Sequence, residues 1–186
     1  RDLPRSPVSL TECTDKGLCD LKLRLAHGVD AVAISIVRTP KAITFVKDLI
    51  RKTSNHQPLI VAKIEREEAV YAPEGILEVT DSILIARGDM AVELGAQKVL
   101  VIQKMLIRMS NELGVPVITA TQMLESMISC PTPTLAEASD VATAVFYGFD
   151  AVMFSAEPAS VYYPVISVEI MFRFIREADR EYGNYS

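Results

Sequence analysis

Residues 58–65 read PLIVAKIE. Leu59, Ile60, Val61 and Ala62 form an unbroken aliphatic run, and Lys63 and Glu65 follow directly on it. A run without polar alternation is what a parallel strand covered on both faces requires. A lysine and a carboxylate at the end of such a strand need a reason beyond packing. Being two apart, they point to the same side of an extended backbone.

Four other runs have the same character: VDAVAIS at 29–35, DSILIAR at 81–87, VPVITAT at 115–121 and FDAVMFS at 149–155. Helical segments separate them. Thr39-Pro40 reads as a cap followed by a first-turn proline and opens a helix to about Arg51. In GAQKVLVIQKMLIRMSNELG, Val99, Ile102, Leu106 and Met109 recur at helical spacing, and Gly114 stands where a C-terminal cap glycine belongs. Thr134-Leu135-Ala136-Glu137 is a capping box whose helix runs to Gly148, and Pro164 opens a last amphipathic helix to about Asp179.

Alternating strands and helices imply right-handed crossovers and a parallel α/β sheet, either doubly wound or part of an eightfold barrel. No glycine-rich dinucleotide fingerprint follows the first strand and no Walker loop is present, which favours the barrel. A whole barrel takes about 250 residues. With 186 residues and five strands, the expectation is a partial TIM barrel with three strand-helix units missing. A first residue that is Arg1 instead of methionine suggests a fragment or processed product.

The strand ends of such folds share one rim, where the chemistry collects. Here they supply Ser35, Lys63 and Glu65, then Arg87, Gly88 and Asp89, then Thr119 and Thr121, then Ser155 and Glu157. If Lys63 and Glu65 face the barrel axis, an ammonium and a carboxylate enter one cavity beside Asp89. Two carboxylates with few nitrogen or sulfur donors nearby suit Mg²⁺ or Mn²⁺, with the remaining positions left to water and substrate. Gly88 allows close approach to the backbone, and the turn after Asp89 can aim amides at an anion. The competing reading makes Glu65 and Asp89 solvated loop acids and Lys63 a snorkelling side chain.

Composition restricts the partners. A net charge of −5 and a pI near 5.1 give no general attraction to nucleic acid or anionic membranes. No apolar stretch reaches a membrane span and no signal pattern opens the chain, so it reads as soluble and cytoplasmic, with a plastid as the alternative. Cys13, Cys19 and Cys130 lack zinc-site spacing and read as free thiols. His27 reads as a helix-end cap, His56 as solvated, and Met105, Met109, Met123 and Met127 as packing residues.

The ordered motifs VAKIE (61–65), ILEVTD (76–81), IARGDMAVE (85–93), VITATQMLESM (117–127), PTPTLAEASDVATAV (131–145) and VMFSAEPASVYYP (152–164) resemble pyruvate kinase. The resemblance implies strands four to eight of that family's (β/α)8 barrel, without its lid and C-terminal regulatory domains. It implies phosphoryl transfer between phosphoenolpyruvate and ADP, giving pyruvate and ATP. By the same match, Lys63 would neutralise the phosphoryl and Glu65 and Asp89 would hold Mg²⁺ or Mn²⁺. Gly88 and Asp89 would meet the substrate carboxylate with Arg87 beside them, and Thr121 would lie at the enolate carbon with Ser155 and Glu157 close by. The family's K⁺ ligands would lie outside this stretch. Departures are Ile36 for the usual phenylalanine, Val161 for a glycine, Pro158 and Ser160 for a threonine and a lysine, and Leu135 for an arginine tied to the family's tetramer. Two other readings compete: a different metal-dependent phosphoenolpyruvate- or pyruvate-binding barrel, and a non-catalytic half-barrel that serves as an interaction module.

Overall fold

The computed structural model describes residues 15–121, 123–154 and 162–182. Five parallel strands, β1 (Ala31–Ile34), β2 (Leu59–Ile64), β3 (Ser82–Ala86), β4 (Val117–Ala120) and β5 (Ala151–Met153), lie in one sheet in the order β1-β2-β3-β4-β5. All five expected strands are present. Sequential order without a reversal is the winding of a barrel. A doubly wound sheet reverses direction at a switch point.

The two faces of the sheet are covered differently. On one, Ile60, Ala62, Ile64, Ile83, Ile85 and Val117 join helix residues in the main core. These come from α1 (Asp15–Ala26), α2 (Pro40–Thr53), α3 (Glu67–Tyr71), α4 (Glu74–Leu77), α5 (Arg87–Leu94) and α6 (Ala96–Leu113). A second cluster adds Val141 of α7 (Leu135–Phe146) and Met171 of α8 (Pro164–Tyr182) to Met123, Leu124 and Met127. The opposite face holds a small cluster drawn from strands alone: Val61, Leu84, Ala86 and Ala120, with Ile118 packed against it. Helices on one face and strand side chains on the other match the two sides of a barrel wall.

Local signals explain the helices. Pro40 sits in the first turn of α2, whose Ile43, Val46 and Ile50 are buried, but the Thr39 side chain makes no capping bond. In α6 the buried set includes Val99, Ile102, Leu106, Ile107 and Ser110, while Met109 is half-buried. Gly114 ends that helix at φ 68°, a left-handed conformation that glycine adopts without steric penalty. The Thr134–Glu137 capping box is complete. Met123 and Met127 pack as expected, whereas Met105 is exposed. His27 Nδ1 lies 2.8 Å from the Leu23 carbonyl at the end of α1. His56 is exposed but also engaged, with Nε2 2.7 Å from the Val29 carbonyl, tying its loop to the entry of β1. Cys19 and Cys130 are free and exposed; Cys13 lies outside the described residues. Among the described residues no helix is long and apolar enough to cross a membrane.

Candidate active site

The rim at the end of β2 gathers three charged side chains, Lys63, Glu65 and Asp89. Lys63 pairs in register with Leu84, a member of the small inner cluster, so its side chain leaves the sheet away from the helices. Its Nζ lies 3.0 Å from Glu65 Oε2 and 3.9 Å from Asp89 Oδ2. The same ammonium donates to Ser35 Oγ, at the end of β1, over 3.4 Å. One cation therefore draws the ends of β1 and β2 and the start of α5 together. Glu65 is buried. Its Oε1 accepts the Ile36 amide at 2.7 Å, while Oε2 has the ammonium nearby but no hydrogen bond aligned to it. Asp89 is half-open to solvent and sits in the first turn of α5, where a carboxylate complements the helix dipole.

The ends of β3 and β4 form a second group joined to the first through Arg87-Gly88-Asp89. Thr121 has φ 69°, a left-handed backbone. Its carbonyl accepts from Arg87 Nε at 3.1 Å and Nη2 at 2.7 Å, and its Oγ1 accepts the Gly88 amide at 2.8 Å. Arg87 also donates to Asp140 Oδ2 of α7 at 2.6 Å and to Met123 Sδ at 2.8 Å. Its side chain is only 5% exposed, so the guanidinium lies within the wall that shapes the rim. Close approach at Gly88 is to Thr121, whose Oγ1 would be 3.5 Å from an added Cβ. Asp89 lies inside a helix and not before a turn, so the backbone amides near it are those of the helix's first turn, with the Gly88 amide already given to Thr121.

Beyond the site, Glu137 gathers the segment after β4. Its carboxylate accepts from the Ser126 amide and hydroxyl at 2.8 and 2.5 Å, and from the Thr134 amide and hydroxyl at 2.8 Å each. Partial burial pushes the Glu137 carboxyl up, but these bonds from Ser126 and Thr134 outweigh it and hold it below its ordinary value.

Lys63, Glu65 and Asp89 thus converge as expected, and Thr121 and Gly88 meet one another. Thr119 does not reach the rim: it is fully buried and its Oγ1 has no hydrogen-bond partner. Ser155 and Glu157 lie outside the described residues. Asp140 and Ile36 are partners that the motifs did not disclose. The capping box found Glu137 but gave no hint that the same carboxylate holds Ser126.

The donor set fits a hard divalent cation. Glu65 Oε2 is a buried carboxylate oxygen without an aligned hydrogen bond, Asp89 is accessible, and an ammonium already lies near both. Among the described residues no group of three or more His, Cys, Asp or Glu is placed to hold a metal. Two carboxylates leaving other positions to water and ligand is the usual Mg²⁺ arrangement.

The family model described as "Pyruvate kinase, barrel domain" matches residues 2–168. The chain belongs to the pyruvate kinase family. It is 46% identical over 180 residues to Pyruvate kinase 2 of Synechocystis sp., covering 97% of this chain and 30% of that protein. Against the pyruvate kinase of Clostridium acetobutylicum the identity is 41% over 180 residues, covering 97% and 38%. Against that of Dictyostelium discoideum it is 44% over 177 residues, covering 95% and 35%. The chain therefore spans about a third of the length of these relatives.

Proposed function

We propose that this segment is strands four to eight of a pyruvate kinase (β/α)8 barrel, and that an enzyme containing it moves a phosphoryl group between phosphoenolpyruvate and ADP, giving pyruvate and ATP. In this reading the other three strands, the lid, the C-terminal regulatory domain and the K⁺ ligands lie outside these residues. The supporting observation is the Lys63 ammonium set 3.0 Å from Glu65 and 3.9 Å from Asp89 at a strand-end rim.

Phosphoryl transfer asks mainly for positioning and for opposite charge where negative charge develops. Glu65 and Asp89 would hold Mg²⁺ or Mn²⁺, which when bound neutralises anionic oxygens of the substrates. The oxygens now near Lys63 are the ones that a divalent cation would claim. Lys63, with Ser35 within its reach, would be left to neutralise the transferring phosphoryl. The first turn of α5 meets the substrate carboxylate. The Thr121 hydroxyl has an acceptor site filled by Gly88, so its proton is the part it offers at the carbon that is protonated. Arg87 contributes by holding Thr121 in its left-handed conformation, and by the family resemblance Ser155 and Glu157 would take part in binding the substrate. Leu135, exposed at the start of α7, stands where the family's tetramer uses an arginine, so the oligomer of this protein would differ there. A soluble enzyme of the cytoplasm, or of a plastid, fits this reading.

Kinetics of Lys63→Met in a complete enzyme carrying this segment provide the test. If Lys63 stabilises charge on the phosphoryl in transit, turnover falls by roughly 10²-fold or more with little change in apparent substrate affinity. Wild-type turnover in Lys63→Met would make the lysine a solvated rim residue and defeat the assignment.

A further inference from the structure

Ile36 has a left-handed backbone, φ 59°. That conformation crowds a β-branched residue, and such outliers persist only where the surroundings compensate. Burial does not compensate here, because the residue is 44% exposed. The conformation instead directs the backbone amide across the rim, where it donates to Glu65 Oε1 at 2.7 Å over a separation of 29 residues. The two oxygens of Glu65 are thereby made unequal. Oε1 is engaged with the amide, and Oε2, buried and without an aligned hydrogen bond, faces the Lys63 ammonium.

We propose that Ile36 is a positioning residue for Glu65: its strained amide pins Oε1 and turns Oε2 toward the rim as the oxygen offered to a divalent cation. This rests on the metal reading above and deepens it. The reading names the carboxylates, whereas the geometry of Ile36 assigns Oε2 as the oxygen that Glu65 offers and places control of it in the turn between β1 and α2. A carboxylate free to rotate can chelate through both oxygens or turn away, and groups that orient a ligand typically change metal affinity by roughly 10–100-fold. Neighbouring Ser35 receives the Lys63 ammonium, so the same turn reaches both charges of the rim.

The test is a Mg²⁺ titration of the whole chain, observed by NMR at the Glu65 side-chain carboxyl carbon and the Ile36 amide, with thermal melting recorded alongside. Both resonances are expected to move with one midpoint. Ile36→Asn keeps the N–H and tolerates the left-handed backbone; it should bind Mg²⁺ within a few-fold of the parent and melt no lower. Ile36→Pro lacks the donor and cannot take a positive φ; it should bind Mg²⁺ roughly 10–100-fold more weakly. If Ile36→Pro still gives the folded sheet spectrum and binds Mg²⁺ like the parent, the proposal is overturned, even if that variant melts lower. A wild-type titration that moves the Glu65 carboxyl but leaves the Ile36 amide in place overturns it as well, without depending on any variant. Both of those outcomes leave the metal site standing. If neither the Glu65 nor the Asp89 carboxyl responds to Mg²⁺, the metal reading itself fails and the inference falls with it.

Discussion

Replacing Arg87 with methionine removes a guanidinium from a buried junction while keeping a side chain of similar reach. In the wild type that group makes two bonds to the Thr121 carbonyl and one charged contact to Asp140, which is 26% exposed in its side chain. Taking one member from a buried pair costs about 3–5 kcal/mol, because the other charge is stranded. Water reaching Asp140 lowers that figure, while loss of charge-assisted bonds to Thr121, each worth roughly 1.5–3 kcal/mol, adds to it. A loss of at least about 3 kcal/mol is expected, or a midpoint at least roughly 6 °C lower for a chain of this length. Urea and thermal unfolding followed by circular dichroism measure it. The double variant Arg87→Met/Asp140→Leu should recover part of the loss, since no charge is then left without its partner. A loss below about 1 kcal/mol for Arg87→Met, with no recovery in the double variant, would refute the reasoning and make the junction incidental.

The Glu137 carboxyl sits below its ordinary value because its hydrogen bonds from Ser126 and Thr134 outweigh the opposing effect of burial. The stability it contributes is therefore fully present above about pH 4.3, the ordinary value for glutamate, and is lost as pH falls through the lower folded value. Glu137→Gln should flatten that part of the acid-denaturation curve, and an unchanged curve would contradict the assignment. Among the described residues, strands β1 and β5 each have a sheet neighbour on one side only, so light scattering across a concentration series should show association of the chain; a strictly monomeric protein would count against this. Because relatives are about three times longer, the chain alone should give no turnover near the ordinary 1–10³ per second in a coupled assay with phosphoenolpyruvate, ADP, Mg²⁺ and K⁺.

Much of the fold was legible because it is written in local periodicity. Each apolar run became a strand, and the glycine at 114 and the Thr134–Glu137 box ended and began helices where their chemistry demands. The charged rim was legible for a similar reason. Lys63 and Glu65 share a strand-end parity that holds whatever lies around them, and Asp89 follows the next strand. Parallel pairing brings those ends to one side. His56 and Thr119 mark the limit of that reading: one is tied to a carbonyl 27 residues away and the other is sealed in the interior, and neither fate follows from local polarity.

The sequence by itself therefore determined which residue types stand at the strand ends, because a period of two and a parallel crossover leave little freedom. Only the tertiary structure decided how each polar atom is used. Arg87 is committed to Thr121 and to Asp140, 53 positions away, the Gly88 amide to Thr121, and one oxygen of Glu65 to the strained amide of Ile36. A hydrogen bond is made over about 3 Å and along a direction. No spacing along the chain encodes that geometry between segments that meet only when the sheet has formed.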